Sequence, residues 1–280
     1  MHSAVARTDI DERCPNTASK SSEYLAEGWL ARAFAAAPTP RSFAADAVIV
    51  GGAEMGPFSG DSRTIALTDT ERFLRQARLA SPAGQARNDA LTHILRVEHN
   101  IVQAAASLNG EHVFGTEFPR TPFGNAIRTA AQVIANRAGV AAVKVALNGF
   151  DTHSNQPATH TRLLKDLGDG LAALRGALTE LGRWNSTLVM TYAEFGRRAR
   201  ENLSNGTDHG TANAHFVLGG RVKGGLYGAT PDLGRLDGNG NLPFAVDFRD
   251  VYATVLEGWW GADSRRALNG RFRPLDLLNA

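Results

Sequence analysis

Seven leucines, Leu163, Leu164, Leu167, Leu171, Leu174, Leu178 and Leu181, recur at spacings that fill one side of a helix. The helix lies between two short apolar runs, Ala141 to Leu147 (AAVKVAL) and Thr187 to Tyr192 (TLVMTY), both of strand length. A strand, a long amphipathic helix and a second strand in that order predict a parallel sheet covered by helices on both faces. Ala47 to Val50, ending in Gly51-Gly52, reads as a further strand and turn, and His215 to Leu218, ending in Gly219-Gly220, as another. Helices are expected over 68–108, over Phe123 to Arg137, and over Val246 to Leu256. The first opens on a capping box formed by Thr68 and Glu71 and is broken at Ser81-Pro82-Ala83-Gly84. Residues 1–45 show no clear periodicity and are expected to be irregular. No Pro- or Ser-rich linker divides the chain, so 1–280 reads as one α/β domain with a mainly parallel sheet.

Composition narrows the function classes. Hydrophobic residues are 43% and charged residues 21%, enough to bury a sizeable core. Thirty basic and 28 acidic residues leave a net charge of +2, which argues against a nucleic-acid or membrane-surface partner. There is no run of 18 apolar residues, so no membrane-spanning helix is expected. No basic-then-apolar start is present, so the chain as written reads as cytoplasmic. The single cysteine, Cys14, excludes an internal disulfide and a cysteine-based zinc site.

Three loops concentrate reactive side chains: Gly149-Phe150-Asp151-Thr152-His153, Glu194-Phe195-Gly196-Arg197-Arg198, and Gly206-Thr207-Asp208-His209-Gly210. The first two directly follow strands, where an open α/β sheet builds its site. Asp151, His153, Asp208 and His209 supply two carboxylates and two imidazoles. That donor mixture suits zinc, manganese or iron better than calcium, which prefers oxygen alone. An Asp-x-His pair also arises by chance, and Asp-His-Gly is an ordinary turn, so a plain loop is the alternative for each. His215 is a fifth candidate ligand, reaching the same crevice from a strand edge. Glu194 at a strand end needs a partner. It is read either as a structural ion pair with Arg197 or Arg198, or as a group behind the ligands that orients a histidine. His93 and His99, six residues apart in one expected helix, do not share a face and are not read as ligands.

GFDTHSNQ, the leucine helix, LVMTYAEFGRRARENLSNGTDHGTANAHFVLGGRVKGGLYG and DFRDVYATVLEGWW together resemble the bacterial family named domain of unknown function 1501. The resemblance runs from about Gly28 to the end and is most specific over 149–228. That family is similar to the alkaline phosphatase and sulfatase superfamily, whose members bind two divalent metals at strand ends. The resemblance implies an alkaline-phosphatase-like core and assigns Asp151 and His153 to one metal, and Asp208 and His209 to the pair. It implies zinc or manganese as cofactor, a small anionic ester as substrate, and hydrolysis of phosphate or sulfate esters, with Arg197 clamping the anion. The alternatives are a non-catalytic metal-binding exported protein acting as a binding or assembly module, and an inactive remnant.

Two departures stand out. Ala193 replaces the serine that usually precedes the glutamate of the EFGR motif. Family members also begin with a twin-arginine export signal and a first strand bearing a GGNDG-like loop, and neither precedes Met1 here. The resemblance therefore implies a periplasmic family and a chain lacking its leading strand or strands, with no identifiable nucleophile. A missing strand would leave an unpaired edge, so marginal stability, self-association or a protein partner is expected.

Overall fold

Every residue of the run Ala45–Val50 is buried, as a strand covered on both faces must be. A computed structural model describes residues 2–7, 14–19, 25–67, 112–136 and 139–279. In it Ala45–Val50, strand β2, is the centre of a three-stranded parallel sheet. Its neighbours are β3 (Thr64–Leu67) and β4 (Val140–Val145), with Val48 opposite both Ile65 and Val143. Side chains alternate across β2. Val48 and Val50 pack with Ala130 and Val133 of helix α3 (Pro122–Ala135). Ala47 and Ile49 join a core with Trp29 and Phe34 of helix α2 (Trp29–Ala36) and with Phe248 and Tyr252 of helix α5 (Phe248–Ala253). The fold is thus mixed α/β, with helices on both faces of its parallel sheet. Asp46, the one charged residue of β2, is held by the backbone N–H and guanidinium of Arg63.

Helix α4 (Gln156–Glu180) follows β4 and lays Leu174, Ala177 and Leu178 against Phe123, Ile127 and Ala131 of α3. The leucine periodicity thus locates a real helix, which starts seven residues before Leu163 at a proline in its first turn. After α4 the chain departs from the expected parallel arrangement. Strand β5 (Val189–Met190) pairs antiparallel with β8 (Ala212–Leu218), and β8 pairs antiparallel with β1 (His2–Arg7). The reason is the connection. Between β5 and β8 lies only a small hairpin, β6 (Gly196–Arg197) with β7 (His209–Gly210), and no crossover helix. A parallel return needs such a crossover, whereas a hairpin-type connection brings the chain back antiparallel.

The stretch expected to be irregular also carries structure: β1, a turn of helix α1 (Cys14–Thr17), and α2, with β2 starting at its last residue. The helix expected over 68–108, with His93 and His99, lies outside the described residues. The chain ends with α5, a wider helical turn over Thr254–Trp259, and helix α6 (Ser264–Ala267). Among the described residues no helix is long and apolar enough to cross a membrane.

Candidate metal centre

The loop leaving the carboxyl end of β4 carries Asp151 and His153, and β7 carries His209. Two close approaches shape the region, the first joining the β4 loop to the segment before β7 and the second packing β6 on β8. A Cβ on Gly206 would collide with the backbone carbonyl of His153, and one on Gly196 with the carbonyl of Ala212, so glycine alone permits both packings. Backbone hydrogen bonds then lace the loops together: Asn155 N donates to Ser204 O (3.1 Å), and Gln156 N to Asn205 O (2.8 Å). These carbonyls satisfy free N–H groups at the start of α4. Thr152, buried between the loops, meets Nε2 of His160 at 2.9 Å through its hydroxyl.

Three donor atoms converge. Oδ1 of Asp151 lies 2.8 Å from Nε2 of His209 and 3.1 Å from Nε2 of His153, and the two imidazole nitrogens are 3.3 Å apart. A first-row divalent ion about 2.1 Å from each ligand sets neighbouring donors about 3.0 Å apart at right angles and about 3.4 Å apart at the tetrahedral angle. The triangle therefore has the size of a metal face, and one Asp with two His is a donor set that zinc, iron and manganese accept. Among the described residues this is the group of Asp, Glu, His and Cys side chains close enough to share one ion.

The surroundings hold His209 and Asp151 in place. Phe195 stacks flat on His209, with centroids 3.8 Å apart and planes 8° apart, which sets the plane of that ring. Arg197 donates to Phe150 O and Thr207 O, both at 2.6 Å, and to Oδ1 of Asp151 at 2.9 Å. It ties both ligand loops to one carboxylate. The hydrogen bond from His209, with that from Arg197, holds the Asp151 carboxyl below the usual carboxylate range.

The remaining expected site residues lie outside the triangle. Asp208 sits behind His153, with Oδ1 3.5 Å from Nδ1 of that ring. A hydrogen bond from Asn202, then the His153 ring and the charge of Arg198, hold its carboxyl low. Glu194 is not one of the three converging residues, and its charge is felt by Lys144 and Tyr192. Burial of Lys144 lowers its amine pKa, and burial of Tyr192 raises its phenol. Sequence reasoning overlooked Asn202 and Phe195. Phe195 was within reach, because an aromatic one residue before Gly-Arg at a ligand loop is a natural ring support, whereas nothing local marks Asn202.

His215 is buried in β8, in a cavity wall with Thr191, Tyr192, Phe248 and Tyr252, and is not one of the three converging residues. Burial pushes its pKa down to about 4. The unfolded chain, with an ordinary imidazole near 6.5, then binds the proton more tightly than the folded one. Stability from this group is full above about pH 6.5 and falls toward pH 4, by up to about 1.4 kcal/mol per pH unit. Urea unfolding at pH 7, 5.5 and 4.5 should show this slope, and His215→Gln should flatten it. An identical pH dependence in the variant would refute the assignment.

The family model described as "Protein of unknown function (DUF1501)" matches residues 7–272. The chain belongs to the DUF1501 family. Comparison with curated proteins gives no match, and neither does comparison with solved structures. The match spans the ligand loops, the Phe195–Arg197 support and the helices behind them.

Proposed function

We propose that this protein is a metal-dependent hydrolase of phosphate or sulfate esters, built on one divalent ion held by Asp151, His153 and His209. The observation that carries the reading is the donor triangle, with edges of 2.8, 3.1 and 3.3 Å. A divalent ion there would act as a Lewis acid toward an ester oxygen and acidify a bound water. Three protein ligands leave further coordination positions open, the arrangement of catalytic rather than structural zinc sites. Asp151 and His153 keep about half of their side-chain surface exposed, at 58% and 51%, so the face is reachable. Arg198 is exposed and near enough to lower the pKa of Asp208, and supplies a cation for the anionic ester. The substrate class is what the family resemblance implies, through its similarity to the alkaline phosphatase and sulfatase superfamily. The metal comes from the triad.

A second reading is favoured by Arg197. Its guanidinium is spent on Phe150, Thr207 and Asp151. A centre whose innermost arginine braces the scaffold also suits a non-catalytic metal-binding module.

The test is turnover of p-nitrophenyl phosphate and p-nitrophenyl sulfate by protein loaded with zinc or manganese. Hydrolysis that disappears with chelator and in Asp151→Ala supports the hydrolase. One bound metal per chain without turnover of either ester supports the binding module. Turnover unaffected by chelator and by Asp151→Ala overturns the metal-dependent reading.

A further inference from the structure

We propose that Asp208 is a positioning residue of this centre, one that accepts the Nδ1–H of His153 and so turns the lone pair of Nε2 toward the ion. The inference rests on the reading of Asp151, His153 and His209 as ligands, and assigns Asp208 a place outside the coordination sphere.

The two nitrogens of His153 have different neighbours. Nε2 belongs to the triangle, 3.1 Å from Oδ1 of Asp151 and 3.3 Å from Nε2 of His209. Nδ1 faces the other way, 3.5 Å from Oδ1 of Asp208. A ligating imidazole is neutral and bare at the nitrogen that meets the metal, so its one proton sits on the other nitrogen and needs an acceptor. Asp208 is the acceptor in place. The separation exceeds a formed N–H···O bond, and a shift of about 0.5 Å closes it. Asp208 is not among the side chains whose donor atoms converge within reach of one ion, so in this arrangement it stands outside the coordination sphere.

Asn202 locks the pair. Its Nδ2 donates to His153 O at 3.0 Å and lies 3.4 Å from Oδ1 of Asp208. Its Oδ1 accepts from Ser204 N at 2.9 Å and from Gly206 N at 3.1 Å. Those two donors fix which end of the amide is oxygen, so the NH2 must face His153 and Asp208. One amide therefore holds the main chain of the histidine and the carboxylate behind its ring. Chain direction explains why the carboxylate next to His209 serves a different histidine: adjacent residues of an extended segment point to opposite sides.

The experiment combines zinc titration by calorimetry with 15N NMR of the histidine rings, the His153 signals being assigned with His153→Gln. It uses the wild-type chain, Asp208→Ala, the isosteric Asp208→Asn, and Asp151→Ala. Asp208→Ala should still bind one zinc, about 10–100-fold more weakly. Asp208→Asn should lose less, because its amide oxygen still accepts the Nδ1 proton, and Asp151→Ala should lose most. In the zinc-loaded wild type, where the metal occupies Nε2, the Nδ1–H of His153 should show the 15N and 1H shifts of a hydrogen-bonded ring N–H, and in Asp208→Ala those of a solvent-exposed one. A loss in Asp208→Ala as complete as in Asp151→Ala would make Asp208 a ligand and overturn the proposal. Unchanged affinity and Nδ1–H signals would make it a bystander and overturn it equally. If the wild type binds no zinc, the metal reading fails and takes this proposal with it, whereas zinc binding that Asp208→Ala leaves untouched overturns the proposal alone.

Discussion

Zinc should bind this protein at one site per chain, and the double variant Asp151→Ala, His209→Ala should remove that site. The three donors already sit 2.8–3.3 Å apart, so binding needs little reorganisation of the loops. Removing Asp151 does more than delete one ligand. Nζ-type flexibility is absent at Arg197: its guanidinium is planted by Phe150 O and Thr207 O and stays beside the vacated carboxylate position. A fixed cation then faces the seat of a dication with no anion between them. Deleting His209 as well leaves His153 as a lone neutral donor. The combined loss should exceed the roughly hundredfold upper range for residues that only orient ligands. Calorimetric titration and elemental analysis of the purified variant would measure it. Wild-type stoichiometry and affinity in the double variant would end the assignment of this site.

The three converging side chains were legible because their chemistry is local. Asp151 and His153 share a loop directly after a strand, and His209 sits in a short polar segment between glycines. What could not be read was the partition among four candidates, which depends on side-chain direction. Asp208 and His209 are neighbours in sequence, yet one faces the back of His153 and the other the triangle. The role of Arg197 was hidden for a related reason. Its two carbonyl partners, Phe150 and Thr207, are 47 and 10 residues away.

The fold divides in the same way. Strands β2 and β4 and helix α4 were readable because apolar runs and leucine periodicity reflect burial along one element. Helix α2 was not, because eight residues with five buried ones look like any apolar patch. The two-residue strands β6 and β7 leave no periodicity to detect, and they decide that the chain returns antiparallel.

Tyr252→Ala should cost about 3–5 kcal/mol of stability, as large-to-small substitutions of buried aromatics do. Tyr252 is 2% exposed. Its ring stacks on Trp29 with centroids 4.3 Å apart and meets Phe248 edge-on at 5.4 Å. Its hydroxyl donates to Pro15 O at 2.9 Å, across 237 residues of chain. One side chain thus fastens α1 and α2 to α5 and closes the face of β2 that bears Ala47 and Ile49. Tyr252→Phe separates the two contributions. It keeps the ring and leaves the buried carbonyl of Pro15 without its donor, at about 1–3 kcal/mol. Against a typical total of about 5–15 kcal/mol, the alanine variant should unfold at markedly lower urea concentration, with phenylalanine between it and the wild type. Zinc affinity of the folded fraction should not change, because the stack packs on the face of β2 that bears Ala47 and Ile49 and includes none of Asp151, His153 and His209. Unfolding of Tyr252→Ala within about 1 kcal/mol of the wild type would show that the two ends of the chain are not held together through this residue.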